Sequence, residues 1–227
     1  VLPKLPEVSD LVTAGLESVA VRVPAHPVMR RLLEMADLPL AAPSANPFGY
    51  VSPTTAEHVE AGLGRRIEHI LDGGPCTIGV ESSIVDLRDS ARPALLRPGG
   101  VTREALTEVL GVELHVEMAA GQAAEVRSAA EEPQAAPGSL PQHYSPRARV
   151  ELHERLSVDD LASAEADEAF VFLQRPEGGP FPAGCRWLSE SGDLAEAAAR
   201  LFAVLRELDA RHHRVIHVEK APQHGLG

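Results

Sequence analysis

Between Ser18 and Val23 hydrophobic and polar positions alternate with a period of two. Successive side chains of a strand point to opposite faces, so Val19, Val21 and Val23 share one side and Ser18, Ala20 and Arg22 the other. The valine side is expected in a core. The other side, small and then charged, suits either a solvated face or the floor beneath a ligand. The period then lengthens: Val28, Leu32 and Met35 recur at helical spacing and predict a packed helix over 26–36. Residues 38–41 read as a short apolar strand. A helix over 54–62 follows with two competing start signals, Ser52 as cap with Pro53 in the first turn, or Thr54 with Glu57 as a capping box. Gly62 and Gly64 end it.

A strand over 67–71 and a turn at 72–75 come next, then a hairpin built from 83–87 and 93–96. Thr102 starts a helix with Leu106, Val109 and Leu110 on its apolar side, Gly111 stops it, and a strand over 112–116 closes this part. Periodicity vanishes over 117–142, where Ala, Glu, Gln, Pro and Gly dominate, which marks a linker. Alternation restarts at Val150 and Leu152. A helix over 158–164, strands over 169–173, 186–188 and 214–218, and a long amphipathic helix over 193–208 follow, the last with its stripe on Leu194, Ala198, Leu201, Leu205 and Leu208. Strands alternating with helices predict an α/β chain: a sheet domain over 1–116, a linker over 117–146 and a small open α/β domain over 147–227.

Composition narrows the functions. A formal net charge of −12 argues against a broad phosphate-binding surface, and aromatics at 4% argue against stacking bases on a row of rings. Cys76 and Cys185 are far apart and in no ligand spacing, which predicts free thiols in a reducing cytosol and no zinc site. His212, His213 and His217 read as a solvated cluster, so no metal ligand is expected among the side chains. No apolar run approaches membrane-spanning length, and the first residues do not read as a signal peptide. Both ends of the chain read as cut.

The densest chemistry lies at Ala42-Pro43-Ser44-Ala45-Asn46 and, a few residues on, Ser52-Pro53-Thr54. Small hydroxyl side chains before a helix start let a phosphate approach unpaired N–H groups and the positive end of the helix dipole. The alternative is a plain surface turn, with Asn46 tying its own loop. Glu81 reads as a structural or solvated carboxylate.

Four further stretches fall in order around these: 18–24 (SVAVRVP), 79–83 (GVESS), 96–99 (LRPG), and PGS at 137–139 with HYSP at 143–146. Together they resemble the YrdC-like threonylcarbamoyl-AMP synthase family in its long, two-domain form. The resemblance implies the C-terminal part of a YrdC-like twisted α/β sheet domain, a linker, and a small Rossmann-like open α/β domain. It implies a cytoplasmic nucleotidyltransferase that joins L-threonine, bicarbonate and ATP, with Mg²⁺, into threonylcarbamoyl-AMP and pyrophosphate. A downstream tRNA threonylcarbamoyltransferase would take the product for threonylcarbamoyladenosine synthesis. By the same resemblance Ser18, Ser44, Ser52, Arg97 and Tyr144 contact ATP, and Arg22, Ala42 and Ser82 hold threonine. No side chain is expected to act as a covalent catalyst.

Measured against that family, the chain is expected to lack the N-terminal part of the first domain, with its Lys-x-Arg pair for the triphosphate, and the extreme C-terminus. By itself it is therefore expected to make little product. Two other readings stand beside this one. One is a YrdC-like module of a carbamoyltransferase, against which the HYSP segment argues. The other is a non-catalytic module that contacts double-stranded RNA or tRNA, against which the net charge argues.

Overall fold

The computed structural model describes residues 1–116 and 145–226, so the linker expected over 117–146 lies outside the described residues except for Ser145 and Pro146. In chain order the elements are β1 (Leu2–Pro3), α1 (Asp10–Thr13), β2 (Ser18–Val19), α2 (Pro27–Ala36), α3 (Ala56–Leu63), β3 (Ile84–Asp86), β4 (Ala94–Arg97), α4 (Arg103–Leu110), β5 (His115–Val116), β6 (Arg149–His153), α5 (Val158–Ala162), β7 (Glu168–Gln174), β8 (Cys185–Ser189), α6 (Leu194–Ala210) and β9 (Val215–Glu219). The chain is mixed α/β, as its pattern predicts. It divides into two compact units, one of Val1–Ser44 with Ser82–Pro141, the other of Ala45–Glu81 with Gln142–Gly227. Residues 45–81 thus group with the C-terminal elements. The crossings fall inside the two motifs, after Ser44 and after Glu81.

In the first unit β3 and β4 form the expected antiparallel hairpin, and β5 adds to β4 in parallel. Thr102 caps α4 by accepting the Ala105 N–H at 3.2 Å, and Gly111 ends it in the left-handed conformation. Val109 is exposed, so the half-buried side of α4 is Leu106, Thr107 and Leu110. The valine face expected over 18–23 does not form. Val21 and Val23 are 65% and 90% exposed, and the strand stops at Val19. Its partner β1 offers only Leu2 and Pro3, and proline has no N–H with which to extend a ladder.

Residues 38–41 are coil rather than strand. Asp37 ends α2 at a φ of 49°, and Pro39 then interrupts any pairing. On α2 Val28 is half-buried as expected, but it shares that side with Met29, Leu33 and Ala36, while Leu32 and Met35 are exposed.

The second unit is organised on a parallel sheet in the order β6–β9–β7–β8. Both faces of its inner strands are covered, as a parallel sheet requires. On one face Val171, Ile216 and Val218 pack with Leu205 and Leu208 of α6. On the other, Phe170, Phe172 and Cys185 pack with Leu156 and, more loosely, Leu161 and Trp187. Asp193 caps α6 by accepting the Glu196 N–H at 2.7 Å. The residues it buries include Arg206 and Asp209, which the leucine stripe does not foretell.

Two expectations fail in this unit, and one strand forms with an inverted burial pattern. Residues 67–71 are coil, with Ile67 and Leu71 exposed. The N-cap of α3 is neither Ser52 nor Thr54 but Thr55, whose hydroxyl accepts the His58 N–H at 3.3 Å. Thr54 is buried and turns its own N–H to His58 Nδ1 at 3.2 Å. On β6 the apolar Val150 and Leu152 are the exposed residues, while Glu151 and His153 are half-buried. The reason is position: β6 is an edge strand, and α6 packs against β8 at the opposite edge.

Candidate functional site

The serine of the Ser52-Pro53-Thr54 segment is held by the C-terminal unit through a chain of polar contacts. Asn46 donates from Nδ2 to the carbonyls of Pro47 and Tyr50, at 2.9 and 3.1 Å, and closes the turn at Gly49, whose φ is +76°. That turn delivers Val51 into the core packed on α6, where it is 0% exposed. The Tyr50 hydroxyl donates to Asp209 Oδ2 at 2.7 Å, and Asp209 Oδ1 accepts the Ala148 N–H at 2.9 Å. Arg206, 7% exposed, donates to the Val51 carbonyl at 2.6 Å and to the His58 carbonyl at 3.0 Å. Its guanidinium also lies over the Tyr50 ring, 4.8 Å from the centroid. One helix side therefore clamps both ends of the Val51–His58 segment.

The electrostatics follow from that burial. Burial pulls Arg206 below its ordinary pKa, while Tyr50 and Asp209 push it back up. Burial raises the Tyr50 phenol, and its hydrogen bond to Asp209 raises it further. Burial lowers His58, and the neighbouring Arg206 charge lowers it again. A neutral His58 is also what the geometry asks for, since its Nδ1 faces the Thr54 N–H and must offer a lone pair. Ser52 is buried and donates to Glu81 Oε1 at 2.6 Å, so the carboxylate of the GVESS stretch orients this hydroxyl. Gly79, at a φ of +78°, lies so close to the Ala199 backbone of α6 that a Cβ there would collide with it. Asn46 Oδ1 is buried and has no hydrogen-bond donor among the described residues.

In the first unit the hairpin brings two predicted residues into contact. Ile84 stands opposite Arg97, and the register shifts between Ile84 and Val85. Arg97 donates from Nε to the Ser82 carbonyl and from Nη2 to the Ser82 hydroxyl, each at 3.0 Å. Ser83, by contrast, donates to the Val101 carbonyl at 2.6 Å and receives the Val101 N–H at 3.0 Å, which ties down the turn after Arg97. Ser18 is buried on β2. Arg22, Ala42 and Ser44 are exposed in coil. Tyr144 lies outside the described residues, but the next residue, Ser145, donates its N–H to the Gly49 carbonyl at 3.0 Å, and Pro146 is buried.

Sequence reasoning missed Glu81 as the partner of Ser52 and missed Arg206 and Asp209 altogether. A signal for the last two was present: they continue the side of α6 that carries Phe202, at helical spacing. Charges on an apolar helix side are buried only when paired, and here the partners are backbone and ring atoms of a distant segment.

Residues 1–99 match a family model described as Telomere recombination, and residues 101–227 match that of the threonylcarbamoyl-AMP synthase C-terminal domain. Threonylcarbamoyl-AMP synthases of Pyrococcus abyssi and Bacillus subtilis are 37% and 36% identical over all of this chain, and that of Schizosaccharomyces pombe is 35% identical over 98% of it. This chain spans 66%, 65% and 57% of those relatives' lengths, less than two thirds of each. The crystal structure of P. abyssi Sua5 complexed with L-threonine superposes with a TM-score of 0.82 at 35% identity, over 99% of this chain and 65% of that one. With the C-terminal model alone matching more than half of its residues, the chain belongs to the threonylcarbamoyl-AMP synthase family.

Proposed function

We propose that the protein is an L-threonylcarbamoyladenylate synthase. The threonine amine bonds to the carbon of bicarbonate with loss of water, and an oxygen of the resulting carbamate attacks the α-phosphorus of ATP in line. The bond from that phosphorus to the bridging oxygen breaks, and pyrophosphate leaves. Such a transfer rests on positioning and on neutralising charge, which calls for hydroxyls and guanidinium groups and no covalent nucleophile. The observation that carries the reading is the Arg97–Ser82 contact, because it couples a phosphate-neutralising cation to a hydroxyl suited to the carbamate.

In this reading Ser18, Ser44, Ser52, Arg97 and Tyr144 hold ATP, and Arg22, Ala42 and Ser82 hold threonine, Arg22 as a fork on its carboxylate. The anchoring of Ser145 on Gly49 supports Tyr144 as a residue that closes over the nucleotide. The buried Asn46 Oδ1 would accept a donor from the nucleotide. Hydroxyls beside an arginine fit phosphate oxygens better than a metal, so Mg²⁺ would be carried by the triphosphate and water. Transfer of the product to a tRNA threonylcarbamoyltransferase, and a cytoplasmic location in keeping with two free thiols, belong to the same proposal. So does the division at 116 and 146.

The test is threonine-dependent pyrophosphate release by the protein as encoded by its gene. Arg22→Ala should raise the threonine requirement more than that for ATP, and Ser44→Ala the reverse. Each removes a charge-assisted hydrogen bond, worth about 1.5–3 kcal/mol, or roughly ten- to a hundredfold. Equal shifts for the same substrate in both variants would show the roles to be wrongly assigned, and pyrophosphate release independent of threonine would overturn the activity.

A further inference from the structure

We propose that Glu151, His153 and His217 bind a divalent transition-metal ion of the zinc class on the C-terminal sheet. Strand register brings them together. Glu151 and His153 lie two apart on β6 and so share a face, and His217 stands directly opposite Glu151 on the parallel neighbour β9. His217 Nδ1 is 2.9 Å from His153 Nε2 and 3.4 Å from Glu151 Oε2. Two tetrahedral ligands, each about 2.0–2.1 Å from zinc, lie about 3.3 Å apart. The three donor atoms are therefore already near ligand spacing, on backbone held by a ladder.

The surroundings of His217 also suit a ligand. The His217 side chain is 13% exposed and stacks on Phe170, centroids 4.6 Å apart, so its ring is fixed. Its Nε2 is buried with no hydrogen-bond partner among the described residues, and lies 3.9 Å from Glu168 Oε2. As a ligand the neutral ring offers one lone pair and one N–H. With the proton on Nε2 toward Glu168, the carboxylate that commonly orients a metal-bound histidine is present, and the Nδ1 lone pair faces Glu151. His153 Nε2, 2.9 Å away, is the only hydrogen-bond partner of that lone pair among the described residues, and a metal ion there would replace this one hydrogen bond with bonds to all three side chains. Arg149 pairs with Glu151 through the other oxygen, Oε1, and leaves Oε2 directed at His217. Two histidines and one carboxylate leave a fourth position for water. None of the residues proposed for ATP or threonine lies on β6 or β9.

The experiment uses the purified chain, stripped with chelator and titrated with Zn²⁺ by calorimetry, with Co²⁺ as the spectroscopic probe. One Zn²⁺ per chain should bind with a Kd of about a micromolar or less, and Co²⁺ should give the intense visible bands of a tetrahedral site. His153→Ala and Glu151→Gln should each weaken binding about tenfold or more, while His212→Ala with His213→Ala should leave it unchanged. If His217→Ala unfolds the unit by losing its stack on Phe170, the edge-strand variant His153→Ala still decides the matter. Absence of Zn²⁺ binding, or binding that survives His153→Ala and is lost with His212 and His213, would overturn the site and leave the pair as a histidine–histidine hydrogen bond.

Discussion

Replacing Arg206 with alanine should unfasten the segment that carries Ser52. In the folded protein its guanidinium makes two charge-assisted hydrogen bonds to backbone carbonyls, at 2.6 and 3.0 Å, in a buried setting. Each such bond contributes about 1.5–3 kcal/mol, and its loss also strands a buried acceptor. Against this stands relief of the burial that lowers the Arg206 pKa. The balance is a destabilisation of about 2–4 kcal/mol, since each buried carbonyl left unsatisfied costs about 1–3 kcal/mol. For a domain whose whole stability is about 5–15 kcal/mol, that is a large share. Trp187, the only tryptophan, sits in this unit, so its fluorescence during urea unfolding reads the effect directly. Amide hydrogen exchange should accelerate at Val51 through His58. Arg206→Lys should recover less than half of the loss, because one ammonium group cannot span carbonyls seven residues apart as a planar fork does. An Arg206→Ala midpoint within about 0.5 kcal/mol of the parent would refute the clamp, since surface substitutions fall in that range.

Gly79→Ala should cost the left-handed strain of about 1–2 kcal/mol together with an overpacking term of about 1–3 kcal/mol against Ala199. Gly74→Ala, at a φ of +85° with open space around it, should cost only the first; equal urea midpoints for the two variants would contradict the close approach of Gly79 to α6. For His58 the fold selects the neutral ring, so its pKa lies below that of the unfolded chain. The unfolded state then binds more protons, and stability is full above about pH 6.5 and falls as the pH drops below it. Urea midpoints from about pH 7.5 to about pH 5.5 should show this loss, and His58→Ala should flatten it; an unchanged slope in the variant assigns the titration elsewhere.

What the sequence determined by itself was local or verbal. The cap at Thr102, the stop at Gly111, the hairpin of 83–87 with 93–96 and the long helix near 193–208 are written in short-range chemistry that the fold has no reason to override. The motif wording sufficed for the family, because five short stretches in order carry more information than any one pattern. Tertiary structure decided what depends on a neighbour. Val21 and Val23 alternate like core residues, yet a face is buried only where something covers it, and β1 ends after two residues. Val150 and Leu152 fail in the same way at a sheet edge, and the polar Glu151 and His153 become the sheltered pair. Val51, Gly79 and Tyr50 pack on α6, more than a hundred residues away, which no local pattern foretells. Arg206 shows why this was illegible: a buried charge is stable only with its partners, and those partners are carbonyls, which leave no mark in the sequence.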